Sequence, residues 1–104
     1  MPAAASKILS FLGLCRRAGR LQLGHDPVLE SMRCGKAYLV LLAQDLSEHS
    51  AGGIRHTAEE LGVPVFTLPC TKEEMGAALG KLTGAAAVED AGFAKRLKTL
   101  CTDR

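Results

Sequence analysis

The side chains that could carry chemistry are few and scattered. His25 and Asp26 form an adjacent His/Asp pair. A catalytic base and its orienting carboxylate must face each other, and neighbours at a helix start point in different directions, so the pair is not read as catalytic. His49 and His56 stand seven residues apart on one predicted helix. That is about two turns, too far to share a metal, and both are expected on the surface. The four cysteines, Cys15, Cys34, Cys70 and Cys101, contain no C-x-x-C pair and have no histidine at ligand spacing. They are expected to be reduced thiols used as small apolar side chains, in keeping with a cytoplasmic protein. No glycine-rich dinucleotide motif, P-loop or nucleophile elbow is found. The chain is therefore not expected to be an enzyme, and neither a cofactor nor a metal is expected.

Binding chemistry is better represented. Gly24-His25-Asp26-Pro27 opens a predicted helix, and a helix start attracts anions. Here Pro27 removes a donor and Asp26 adds negative charge. Asp26 could cap the helix, or accept hydrogen bonds from a base edge such as the N–H groups of guanine. Arg33 and Lys36 bracket the end of the same helix, and Arg16-Arg17 ends the one before it. Each pair could match a helix dipole or hold phosphates. Leu68-Pro69, just ahead of Thr71 and Lys72, is an apolar loop, either covered core or a platform for an unstacked base.

The net charge is +2, but it is unevenly spread. Residues 1–36 hold Lys7, Arg16, Arg17, Arg20, Arg33 and Lys36 against Asp26 and Glu30; the remainder holds seven cations against nine carboxylates. Such a distribution suits a polyanion partner at one end of the fold. The apolar run 8–15 is short and ends in Arg16-Arg17, and Leu14 stands before Cys15 where a lipoprotein cleavage site needs a small residue. Neither a signal peptide nor a membrane span is expected, and no membrane partner.

The elements that must position these residues follow from periodicity. Ile8, Phe11, Leu12 and Cys15 make one apolar stripe, predicting a helix over 6–18 with Ser6 as cap and Gly19 as left-handed stop. Leu21-Gln22-Leu23 alternates as a strand does. Asp26 and Pro27 fit the cap and first position of a second helix that runs to about Cys34. The uninterrupted run 38–43 predicts a central strand buried on both faces, with Val40 and Leu42 on one side and Leu39 and Leu41 on the other. A third helix over 46–61 turns Ala51, Ile54, Ala58 and Leu61 inward and stops at Gly62. A second central strand follows over 63–68. Thr71 and Glu74 have capping-box spacing and start a fourth helix, closed by Gly80. A strand over 85–89 and a last helix, capped by Asp90 with Phe93, Leu97 and Leu100 on one face, complete the chain. Residues 1–5 are expected to be frayed.

With 104 residues, this alternation predicts a single domain over 1–104. Its fold is an α/β, three-layer α/β/α sandwich with a sheet of about four strands, mixed but largely parallel. The hydrophobic fraction is 47% with only 4% aromatic, so leucine, valine, isoleucine and alanine must fill the core.

Several stretches together resemble one family. They are Gly13-Leu-Cys-Arg-Arg-Ala-Gly19, Gly24 with Val28, Arg33-Cys-Gly-Lys-Ala37 before the apolar strand and Ala43-Gln-Asp45, Gly62-Val-Pro-Val65, Lys72-Glu-Glu-Met-Gly76 with Gly80, and Phe93-Ala-Lys95. In this order they resemble the kink-turn RNA-binding ribosomal proteins seven-Ae and thirty-e, over about residues 6–100. The resemblance implies the thirty-e-like sandwich and a non-catalytic protein that binds structured RNA in association with the ribosome or translation. It implies RNA contacts at Gly24, Asp26 and Lys36 and in the loop of Leu68, Pro69, Thr71 and Lys72; the residue reading adds His25, Arg33, Arg16 and Arg17 to the expected RNA-binding set. The family's Gly-x-Asn-Glu-x-x-Lys motif falls on Gly24, Asp26, Pro27 and Glu30. Asp26 keeps an acceptor and loses a donor, Pro27 loses the carboxylate, and Glu30 reverses the cation, which predicts poor affinity for a standard kink-turn. Ribosomal RNA and ribosomal proteins are the implied partners, with no specificity for DNA. The alternative is a protein–protein adaptor that keeps the fold without specific RNA recognition.

Overall fold

The computed structural model describes residues 3–102. The chain runs α1 (Ala3–Arg17), β1 (Leu21–Leu23), α2 (His25–Arg33), β2 (Leu39–Leu42), α3 (Glu48–Leu61), β3 (Val65–Thr67), α4 (Lys72–Leu79), β4 (Ala85–Val88) and α5 (Ala91–Thr102). One four-stranded sheet has the order β1-β4-β2-β3. Only the β2–β3 pairing is parallel; β4 runs antiparallel to both β1 and β2. The sheet is therefore mixed, as expected, but not largely parallel. β4 arrives last in the chain and inserts between two strands that run against it.

Two apolar layers sandwich the sheet. On one face α1, α4 and α5 bring Ile8, Leu12, Met75, Leu79, Ala94 and Leu97 against Leu39, Leu41, Ala86 and Val88. On the other, α2 and α3 bring Val28, Met32, Ile54 and Ala58 against Val40, Leu42, Ala85 and Ala87. The predicted two-sided burial of β2 is observed: Leu39, Val40 and Leu41 are fully buried and Leu42 nearly so. β4, reading Ala-Ala-Ala-Val, is as fully buried; its small side chains let helices approach from both sides.

The caps explain several boundaries. Thr71 Oγ accepts from the Glu74 N–H while Glu74 Oε1 accepts from the Thr71 N–H at 2.8 Å, the predicted capping box. Asp90 Oδ1 accepts the Phe93 N–H at 2.8 Å at the start of α5. Gly19, Gly62 and Gly80 all have positive φ after their helices.

Other expectations are corrected. α1 begins at Ala3, so Ser6 lies inside it and caps nothing; Ala5, expected to fray, is buried, while residues 1 and 2 lie outside the described residues. Asp26 does not cap α2. Gly24 occupies that position with φ 105° and no side-chain cap bond, a backbone state other residues avoid, and the helix starts two residues earlier, at His25 rather than Pro27. Leu61 is 49% exposed rather than turned inward. β3 is an edge strand, not a central one, and its Val65 and Phe66 are only half-buried.

Candidate nucleic-acid interface

β1, β2 and β3 point the same way and β4 the opposite way. The loops after the first three strands and the loop before the fourth must therefore meet at one end of the sheet. Backbone bonds knit them together. The Gly24 N–H donates to Ala85 O at 3.0 Å, Ala43 N–H to Gly84 O at 2.9 Å, and Gln44 N–H to Cys70 O at 2.9 Å. Asp45 Oδ1 accepts the Lys72 N–H at 2.8 Å. Gly84 is required here by space: a Cβ would stand 2.7 Å from Leu46 Cδ1 and 3.0 Å from Lys72 Cγ. His25 lies over α3, close to Gly53.

This end gathers Gly24, His25, Asp26, Pro69, Thr71 and Lys72 among the residues singled out from sequence. Leu68 shares the loop but not the surface. It is buried in the core and its N–H donates to Leu42 O at 2.8 Å, so it offers no platform for a base; the exposed apolar residue of the loop is Pro69. The structure adds Gln44, Asp45, Lys81 and Leu82, which sequence reasoning did not single out. Leu82 is 76% exposed, and a Cβ on Gly76 would come within 2.9 Å of its Cα, so the 80–84 loop rests directly on α4. The readable signal was a leucine outside every apolar stripe, between Gly80 and Gly84. In charge this end is balanced or slightly acidic, with Asp26, Asp45 and Glu73 against Lys72 and Lys81, all exposed.

Arg16, Arg17, Arg33 and Lys36 are not brought to this end. Arg20 O accepts the Glu89 N–H at 2.8 Å and Val88 O accepts the Tyr38 N–H at 2.9 Å, so the segments after α1 and α2 meet at the opposite end. About 10 Å of helix separates Asp26 from Arg33. Along the α2 flank, Lys36 shares a hollow of about 360 Å³ with Gln22, Pro27, Glu30, Ser31, Cys34 and Glu89. Ser31 Oγ donates to Glu89 Oε2 at 2.6 Å and Gln22 Nε2 to Glu89 Oε1 at 3.3 Å. Cys34 Sγ donates to Glu30 Oε1 at 3.4 Å, and this bond with the adjacent negative charge pushes the Cys34 thiol up. Lys36 thus stands beside two carboxylates, which oppose a phosphate there. Arg33, with Tyr38 and Leu61, borders a separate cleft of about 370 Å³ between the ends of α2 and α3.

Among the described residues no group of three or more His, Cys, Asp or Glu could hold a metal ion, and no helix is long and apolar enough to cross a membrane. The four cysteines are free; burial pushes Cys15 and Cys70 up to about 11.

The sequence profile of the ribosomal protein L7Ae/L30e/S12e/Gadd45 family matches residues 6–98. The chain belongs to this family. The L7Ae/L30e chain is also similar to the RNA-binding protein YlxQ of Enterococcus faecium, 32% identical over 94 residues and covering 90% of each chain. It is 34% identical over 94 residues to RNA-binding protein YlxQ of Bacillus subtilis, covering 86% of this chain and 89% of that one. A solved Bacillus halodurans protein, described as of unknown function, superposes with TM-score 0.88 at 31% identity over 93% of this chain and 98% of its own. Membership places the chain in a family of ribosomal proteins and not of enzymes.

Proposed function

We propose that this L7Ae/L30e chain is a non-catalytic, cytoplasmic RNA-binding protein that associates with structured RNA of the ribosome or of translation. The observation that carries the reading is the family match over 6–98, together with relatives bearing the name RNA-binding protein along nearly their whole length. The knitted loop end of the sheet supplies a rigid shape with backbone groups, Lys72, Lys81, Pro69 and Leu82 on its surface. A kink-turn would find Asp26 there as an acceptor, but Pro27 and Glu30 where a carboxylate and a cation would serve it better. Recognition therefore leans on RNA shape and phosphates rather than on base edges. Ribosomal RNA is the first partner to try. The free thiols accord with a reducing compartment.

The experiment is a titration of a kink-turn RNA and a plain duplex at several salt concentrations. Binding of either at low salt, weakening steeply as salt rises, is expected; no binding of any RNA at low salt would remove this reading. Copurified nucleic acid gives a first indication, because one Tyr and no Trp leave the protein's own ultraviolet absorbance small. A second reading, the protein–protein adaptor, is favoured by the carboxylates Glu30 and Glu89 on the α2 flank.

A further inference from the structure

α1 and α5 pack against each other on one face of the sheet. Together they carry Lys7, Arg16, Arg17, Lys95, Arg96 and Lys98, and no carboxylate at all. These are six of the chain's 13 lysines and arginines; the other seven cations are set among all 11 carboxylates. All six are exposed. Among the described residues the one salt-bridge contact, His56–Glu60, belongs to α3 on the opposite face, so none of their carboxylates stands within bridging distance of any of the six.

Between the two helices runs a groove of about 450 Å³. Lys7, Ser10, Leu14 and Arg17 line it from α1, Arg96 and Leu100 from α5, and Phe11 forms its floor. Phe11 is held edge-to-face against Phe93 with ring centroids 5.7 Å apart, which fixes that floor. Lys7 and Arg17 are about 15 Å apart along the helix, so the cations form a track rather than a point. Two carboxylates lie near its borders. Asp90 is engaged by the Phe93 N–H, and Glu74, which shares a hollow with Arg17 on the far side of α1, is engaged in the capping box.

We infer that the α1–α5 groove is a second RNA-contacting surface, which takes the sugar–phosphate backbone of a strand. Lys7, Arg17 and Arg96 meet phosphates, and the apolar strip of Leu14 and Phe11 lies against a sugar or an unstacked base. The inference rests on the RNA-binding reading and assigns its electrostatic part to a different face. The loop end offers a polyanion more negative charges than positive, three against two, and the α2 flank sets Glu30 and Glu89 beside Lys36. Helices α1 and α5 themselves bring only positive charge to their face, its border carboxylates Asp90 and Glu74 being engaged in helix caps, and counterion release from phosphates needs such a face. A protein partner fits less well. Stable protein interfaces are depleted in lysine and have an apolar core, whereas the large apolar side chain fully presented here is Leu14, 44% exposed.

The test uses the full chain and three variants: Lys7→Ala/Arg17→Ala/Arg96→Ala, the charge-keeping Arg17→Lys/Arg96→Lys, and Lys72→Ala at the loop end. A kink-turn RNA and a plain duplex are titrated across salt concentrations, with thermal unfolding as a check of folding. Each neutralised phosphate contributes a log–log slope of roughly −0.7 to −0.9, so the triple variant should flatten the slope by about two units and weaken low-salt binding at least tenfold. The charge-keeping variant should hold the slope, and Lys72→Ala should change it by at most about one unit. If the unmodified protein binds RNA and the triple variant keeps both slope and affinity, the inference is overturned while RNA binding stands. That holds equally if the triple variant loses only capture of an acidic protein. If the unmodified protein binds no RNA, both fall.

Discussion

Asp45 Oδ1 accepts the backbone N–H of Lys72 at 2.8 Å, tying the loop after β2 to the first residue of α4. The carboxylate does two things there. It satisfies one of the donors that a helix start leaves unpaired, and it sits favourably at the positive end of the helix dipole. The loop end of the sheet depends on this link for its shape.

Asp45→Ala should therefore cost about 1 kcal/mol, the typical net worth of such a bond at an exposed site. Amide exchange should quicken at Thr71, Lys72 and Glu73 before it changes in β2. Unchanged exchange at those three amides would show that the loops are held together without Asp45.

Leu41→Ala should cost ~2–5 kcal/mol in urea or thermal unfolding, because Leu41 is fully buried between the sheet and the α1/α4/α5 layer. Its neighbour Tyr38, 50% exposed just before the strand, provides the contrast: Tyr38→Ala should cost much less. Equal costs would contradict the burial of β2.

The thiols should react in a fixed order. Cys34 is the exposed one, yet Glu30 raises its pKa, so alkylation at neutral pH should be slow and should accelerate as pH rises. Glu30→Gln removes the negative charge while leaving only a neutral, weaker acceptor for the thiol, and should speed the reaction at pH 8. Cys15 and Cys70 should react only on unfolding. Their thiols are raised from 9.0 to about 11, so between those values the unfolded chain has lost protons the folded one keeps. Stability should then fall as pH rises from about 9 to 11, and Cys70→Ala should make that fall shallower. Stability rising over this window would reverse the assignment.

Pro27→Glu with Glu30→Lys should raise kink-turn affinity by roughly tenfold, worth about 1.4 kcal/mol. Pro27 is the third residue of α2, where a backbone N–H needs no partner within the helix, so the replacement suits the local backbone. The second change removes a carboxylate from the hollow that holds Lys36 and Glu89. Titrating a kink-turn against parent and double variant decides it; tight, selective binding by the parent would show that Pro27 and Glu30 are no obstacle.

Much of the fold was legible in the sequence because it is written in local signals. The uninterrupted run at Leu39–Leu42, the Thr71/Glu74 spacing and the glycines after three helices each specify their element without help from the rest. Strand order was not legible. Ala85–Val88 is equally apolar on both sides and carries no mark of direction, so nothing in it says that it lies between β1 and β2 and runs against both. Nor did Asp26 reveal that the positive-φ backbone of Gly24 would start α2 two residues sooner. The candidate site suffered for the same reason. Arg33, Lys36 and Asp26 are close in sequence, but a helix carries the cations to the opposite end. Conversely, Arg17 and Arg96 are far apart in sequence and line one groove.

The central place of β4 also sets when the molecule can close. On an emerging chain, β2 and β3 can pair as soon as both have left the ribosome, but β1 hydrogen-bonds to β4 and to no other strand. α1 and β1, made first, must wait for a strand made nearly last, and the sequence-distant contacts they need are slow to form. A fragment ending at Gly84 would hold seven of the nine elements and yet leave β1 without a ladder and β2 with an open edge that invites pairing with another unfinished chain.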